Sequence, residues 1–262
     1  MILLNENQLL LFTALFIADY FFQRPKKNED ENQKPKSSFF SDLAIHFIVL
    51  IITSFAVWLI FLLNQQGNQS IPLLLSILGV HMLLDLICTG LGKKFKDRKI
   101  GDTFLSSTFL LHISFLLLKG LAIYIFCQYI FPLQAITFPS RLVLQWLLLL
   151  VSTTVPANTI FKIAFASYQV KGPNSEKTSP TDADNKKEET VPGAGALIGD
   201  MERLITAMLM NLGQFSAIGL IYTAKSVARF DKISKNQAFA EYYLLGTLYS
   251  ILYVILAYRI IF

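Results

Sequence analysis

His81 and Asp85 stand four residues apart in the apolar run from about Ile71 to Leu91. On a helix that spacing stacks them on one face. An imidazole beside a carboxylate can share a proton, form a hydrogen bond, or ligate a divalent metal such as zinc. Neither group belongs in hydrocarbon, so both must face protein or water. Asp19, His46 and His112 lie in three further apolar runs, so all three histidines of the chain sit in such stretches.

The elements that carry these groups follow from composition. The chain has 262 residues, 53% of them hydrophobic and only 16% charged, with a mean hydropathy of +0.50. A soluble domain averages about 25% charged. The charges collect in blocks between apolar runs long enough to cross a bilayer, which needs roughly 20 residues. Backbone amides in lipid must be paired within the segment, so the runs read as helices. We expect an all-α, polytopic transmembrane bundle of about seven spans. They fall at about Gln8–Phe22, Phe39–Leu63, Ile71–Leu91, Thr103–Phe131, Leu142–Phe165, Ala196–Thr223 and Phe239–Ile261. The sixth has a pattern that runs on to Phe230 as one helix, and Pro156 should kink the fifth. The first lacks a basic stretch before it and is followed by Arg24, Lys26 and Lys27, as expected of a retained span rather than a cleaved signal.

The division is a five-span unit over 1–168, a polar linker over 169–195 and a C-terminal helix pair over 196–262. The linker is rich in Pro, Ser, Thr, Asp, Asn, Glu and Lys, with little to bury, and reads as disordered and cytoplasmic. The net charge of +5 resides mostly in loops beside the spans. That favours membrane lipids as partners and argues against nucleic acid. A protein partner or homo-oligomer is compatible with the sequence. Cys88 and Cys127 have neither metal nor redox spacing and read as packing residues.

Lys and Arg counts place the N-terminus outside, with 24–38, 92–102 and 167–195 inside. Lys225, Arg229, Lys232 and Lys235 disagree, because a sixth crossing would leave them outside. Either Lys225 and Arg229 pair with acids such as Glu241, or a re-entrant segment turns 224–238 back.

With this orientation Asp19, His46, His81, Asp85 and His112 fall in one layer, roughly 7 to 16 Å from the inner boundary at about 1.5 Å per residue. Three readings stand side by side. The groups bond helices together, worth about 0.6 to 2 kcal/mol each. They hold a metal that activates water for hydrolysis. They carry protons through a transporter-like protein. Lys119, seven residues after His112, either lines a water-filled crevice or neutralises Asp19, Asp85 or an anionic headgroup. In the C-terminal pair Asp200, Glu202 and Arg203 open a helix, and Asn211 and Gln214 can bond across helices. Gly213 with Ala217, and Gly246 with Ser250, allow close backbone approach. A packed helix hairpin is the favoured reading of Glu202, Arg203, Gln214, Lys225, Arg229 and Glu241. Tyr242, Tyr243, Tyr249, Tyr253 and Tyr258 give the last helix an aromatic face.

These stretches resemble a known family. Ala18-Asp-Tyr-Phe-Phe-Gln23, His46, His81-Met-Leu-Leu-Asp85 and His112 are similar to a bacterial family of multi-pass inner-membrane proteins classed as a domain of unknown function, sometimes found beside SatD-type regulators. The similar domain covers about residues 7–130. Ile198-Gly-Asp-Met-Glu-Arg203, Gly213–Gly219, Ala224–Phe230 and Glu241–Gly246 resemble the longer members. The resemblance implies location and architecture and no reaction. It also implies a His where Leu15 stands, Asp-Gln where Thr108 and Phe109 stand, and a basic residue where Cys88 stands.

Overall fold

The computed structural model describes residues 4–21, 39–95, 107–165 and 194–262. Every element among them is helical. α1 (Glu6–Phe16) continues as a π-helical turn, Ile17–Phe21; then come α2 (Phe39–Leu63), α3 (Gly67–Phe95) and α4 (Ser107–Ile125), which ends in a second π-helical turn, Phe126–Ile130. α5 (Arg141–Thr153), α6 (Val155–Ala164), α7 (Ala194–Asn211), α8 (Phe215–Ala228), α9 (Phe230–Lys235) and α10 (Gln237–Ile261) follow. The expected linker at 169–195 lies almost wholly outside the described residues.

Five stretches are long and apolar enough to cross a membrane: Leu43–Leu63, Gly67–Leu91, Leu110–Ile130, Arg141–Ala164 and Gln237–Ile261. Half of the Arg141–Ala164 stretch is buried against 17% of each of the others, so α5 and α6 form the centre. α1 lies against α5, α2 and α4. It is short but buries Leu9, Leu10, Leu11 and Leu15. Many outward-facing side chains are apolar, among them Ile51, Phe55, Leu86, Leu117, Leu121, Leu248 and Leu252, while Asp19, His81, Lys119, Glu202 and Arg203 are buried. A water-soluble domain has the opposite arrangement.

Amides hold the end of the bundle where α1 and α5 begin. Asn5 caps α1 reciprocally with Gln8 (2.9 and 3.0 Å). Asn7 Nδ2 donates to the Gln134 carbonyl at 3.0 Å, and Gln66 Nε2 donates to the same oxygen at 3.0 Å. Asn64 Oδ1 accepts from the amides of Thr137 and Phe138 at 2.8 and 3.1 Å, and its Nδ2 donates to the Phe138 carbonyl at 2.6 Å. The uncharged Asn/Gln loop is therefore a clamp on the 131–140 connection.

Pro156 breaks the fifth span as expected, dividing it into α5 and α6 at Thr154. Proline lacks the N–H that would bond the carbonyl four residues back. That carbonyl, on Ser152, accepts instead from the Tyr253 hydroxyl at 2.8 Å.

The sixth span departs from expectation. It does not run as one helix to Phe230; the chain reverses at Leu212–Gln214, with Gly213 at φ +69°. Gly213 is therefore a turn residue rather than part of a small-residue packing face, because only glycine takes this backbone conformation without strain. α7 and α8 form an antiparallel hairpin, with Glu202 opposite Lys225 and Thr206 opposite Tyr222. α7 runs parallel to α10, with Arg203 bonded to Ser250 and Asn211 to Tyr258. Residues 224–237 thus return to the end where α7 began.

Asn64→Ala should strand the amides of Thr137 and Phe138. A loss of about 1–3 kcal/mol is expected, read as a lower melting temperature of the detergent-purified protein; an unchanged melt contradicts the clamp.

Candidate functional site: a buried Asp–Lys–His network

The π-helical turn that ends α1 presents two adjacent side chains to the interior. Asp19 meets Lys119 of α4, whose Nζ lies 2.9 Å from Oδ2 and 3.1 Å from Oδ1. Tyr20 meets His112 of α4, its hydroxyl 3.0 Å from Nε2. A wide turn of this kind re-aims side chains and recurs at functional sites. Lys119 reaches Asp19 because the next residue is Gly120: a Cβ there would stand 3.2 Å from Phe12 Cε1, so α1 and α4 approach closely.

The same ammonium bonds a second carboxylate. Lys119 Nζ is 2.6 Å from Asp85 Oδ1 on α3. The other oxygen of Asp85 is 2.9 Å from His46 Nε2 on α2. His46 Nε2 also stands 3.7 Å from Asp19 Oδ1, and His81 Nε2 stands 3.6 Å from that oxygen. Both separations exceed a hydrogen bond. His81 Nε2 is buried with no hydrogen-bond partner among the described residues. Lys119 and His81 have side chains only 6% exposed, and Asp19 10%.

Asp19, His46, His81 and Asp85 therefore meet, as their common depth suggested. His112 stands apart on Tyr20, whose stretch carries the family resemblance but whose side chain has no expected role. Of the two readings of Lys119, the counter-ion is the one the geometry contains. Asp19, His46 and Asp85 each offer one ligand atom, all within 4.8 Å of one another, a set that could hold a divalent ion. The ammonium already bonds both carboxylates.

The C-terminal polar residues form a second group. Lys225 Nζ is 2.5 Å from Glu202 Oε2 and does not pair with Glu241, which instead accepts from Gln237 at 3.1 Å. The sequence pairing failed because it took the sixth span to be one crossing, whereas the hairpin sets α8 against α7. Arg203 donates from Nε to the Thr153 carbonyl at 2.5 Å and from Nη1 to Ser250 at 3.1 Å. Its Nη2 donates to Asn158 at 2.7 Å and Asp200 at 2.5 Å. Asn158 had no signal beyond following Pro156. The Gln214 side chain is exposed at the hairpin tip.

The fold and site together define a bundle of apolar helices enclosing a charged Asp–Lys–His network. Residues 8–144 match the family described as "Protein of unknown function (DUF3307)", and the chain belongs to that family. The match includes every member of the network and ends within α5. Neither the curated proteins nor the solved structures contain a match.

Lys119→Met leaves two carboxylates facing each other and should cost about 3 kcal/mol, since stranding one partner of a buried ion pair typically costs 3–5 kcal/mol. Adding Asp19→Asn and Asp85→Asn should recover most of the loss. Thermal melts of the three proteins check this; a Lys119→Met protein as stable as wild type contradicts the network.

Proposed function

We propose that the chain is a multi-pass protein of the bacterial cytoplasmic membrane whose Asp19–Lys119–Asp85–His46 network binds and releases a proton in a transporter-like activity. The observation that carries this reading is the position of Lys119 Nζ, within 2.9 Å of both carboxylates. Two carboxylates and one ammonium leave the described network at −1. Uncompensated charge is costly at such depth. One proton, held as the imidazolium of His46 against Asp85, restores neutrality. A divalent metal beside a charged Lys119 would overshoot to +1.

The second reading, a metal site for hydrolysis, draws on the 4.8 Å cluster of Asp19, His46 and Asp85. It requires Lys119 to leave or to lose its charge. The two readings separate cleanly. Acidification should load about one proton per wild-type chain, followed by infrared bands of imidazole and carboxylate, and His46→Ala and Asp85→Asn should each lose that uptake. Purified wild type should carry no stoichiometric zinc, iron or manganese, whereas Lys119→Met, with two free carboxylates, should gain zinc affinity. About one metal per wild-type chain, lost in His46→Ala and Asp85→Ala, would overturn the proton reading in favour of hydrolysis.

We further propose seven membrane segments: α1, α2, α3, α4, α5 with α6, the α7–α8 hairpin, and α10. The hairpin enters and leaves by one face. α8 has 14 residues, about 21 Å, too short to cross alone. Lys225, Arg229, Lys232 and Lys235 then join the three basic inside stretches, which gives eighteen basic residues on that face. Arg141 and Arg259 remain at the other. This supports a cytoplasmic site for 224–237. A cysteine introduced at Lys232, with Cys88 and Cys127 replaced by serine, should react with a membrane-impermeant maleimide only after the cells are opened. Labelling in intact cells would favour a full crossing.

A further inference from the structure

A cavity of about 220 Å³ opens between α6, α7, α8 and α10, sharing no residue with the Asp–Lys–His network. Three cations line it: Arg203, Lys225 and Arg229. Arg203 donates to Thr153, Asn158, Asp200 and Ser250, and Lys225 is paired with Glu202. Arg229 is half-buried, and no hydrogen bond or ion pair engages its guanidinium among the described residues. Three cations against two bonded carboxylates leave the wall at +1.

Two further features point to an anion. Tyr243 lines the cavity beneath Lys225, with Nζ 5.4 Å from its ring centroid, and its hydroxyl is buried with no partner among the described residues. A buried hydroxyl without a partner is costly unless something fills the role. α7 also begins at this wall. Gly195 lines the cavity in the first turn of this 18-residue helix, and among the described residues nothing lies within 4 Å of where its Cβ would be. Helix N-termini carry partial positive charge and free N–H donors. The rest of the wall carries the apolar and aromatic side chains of Phe161, Ile198 and Phe239, with Asn158, Thr247 and Ser250 as its polar members.

We propose that this cavity binds one phosphodiester-type phosphate, with an attached apolar portion resting on the aromatic wall. A guanidinium and helix amides suit a tetrahedral oxyanion better than a point ammonium does. The single surplus charge matches the single charge of a phosphodiester. An anionic phospholipid headgroup and a free phosphate share this chemistry, and the experiment distinguishes them.

Full-length protein in neutral detergent is examined by native mass spectrometry, with phosphatidylglycerol, diacylglycerol or inorganic phosphate added. Wild type should retain one phosphatidylglycerol at least tenfold more tightly than diacylglycerol. Arg229→Gln should lose that tenfold preference and Tyr243→Phe several-fold of it, while Arg259→Gln, at the far end of α10, should keep it. Inorganic phosphate that displaces the lipid supports the shared site. Phosphate that binds with the same Arg229 dependence while phosphatidylglycerol does not assigns the site to a soluble phosphate. Melting curves show that each variant is folded. If folded Arg229→Gln and Tyr243→Phe both retain phosphatidylglycerol and phosphate as wild type does, the proposal is overturned.

Discussion

Two carboxylates brought from different helices into one largely buried site repel each other, and each resists leaving water. The ammonium of Lys119 removes both objections at once, and much of the N-terminal architecture serves that contact. Asp19 must come off a widened turn of α1 to reach it. Asp85 must project from α3 at the same level. α4 must lie close enough to α1 for a four-carbon stem to bridge them, which the absence of a side chain at Gly120 permits. His46 then adds α2 through Asp85. Four helices are thereby fixed in rotation and in height. Hydrophobic packing is non-directional and by itself supplies no such register.

The C-terminal half repeats the device with different chemistry. Pro156 opens a gap in the helical hydrogen bonds of α5 and α6, and the exposed carbonyls become docking points. Tyr253 of α10 takes Ser152, and Arg203 of α7 takes Thr153. A kink that would be a defect in an isolated helix thus becomes the joint that holds α7 and α10 against the centre. Lys225 and Glu202 close the hairpin beside it. In both halves a cation from one helix is shared among groups on its neighbours, and the outward surface is left largely to apolar side chains.

The sequence was most informative where a single axis suffices. Height along a helix can be counted residue by residue, so the convergence of Asp19, His46, His81 and Asp85 was legible. Rotation about the axis is set by neighbours. His112 has the right height, yet it faces Tyr20, and no spacing rule distinguishes those outcomes. Lys119 posed the same problem: its partners depend on the π-helical turn and on the approach at Gly120, which hydropathy does not record. The hairpin was hidden for a different reason. A glycine in an apolar run is equally at home in a close helix contact and in a reversal, and only the backbone at Gly213 separates them. Once the reversal is in place, the Lys225 partner and the excess of basic residues near 224–235 both follow. The Pro156 break was legible because proline changes the backbone whatever surrounds it.

The departures from the pattern that the resemblance implies bear on the charge of the network. The resemblance implies a His at Leu15; here Leu15 is buried and borders the same small cavity as His81. With leucine there, His81 Nε2 keeps no hydrogen-bond partner among the described residues and stands 3.6 Å from Asp19. The resemblance also implies a basic residue at Cys88, three residues after Asp85 and thus close to its face of α3. A permanent cation there would bring the two carboxylates and Lys119 to neutrality without any proton. Cysteine supplies no such charge; under the proposed proton reading the deficit of one falls to an exchangeable group, and His46, bonded to Asp85, is the neighbour that reading assigns to it. In that light the substitution leaves the network intact and changes what it must bind to become neutral.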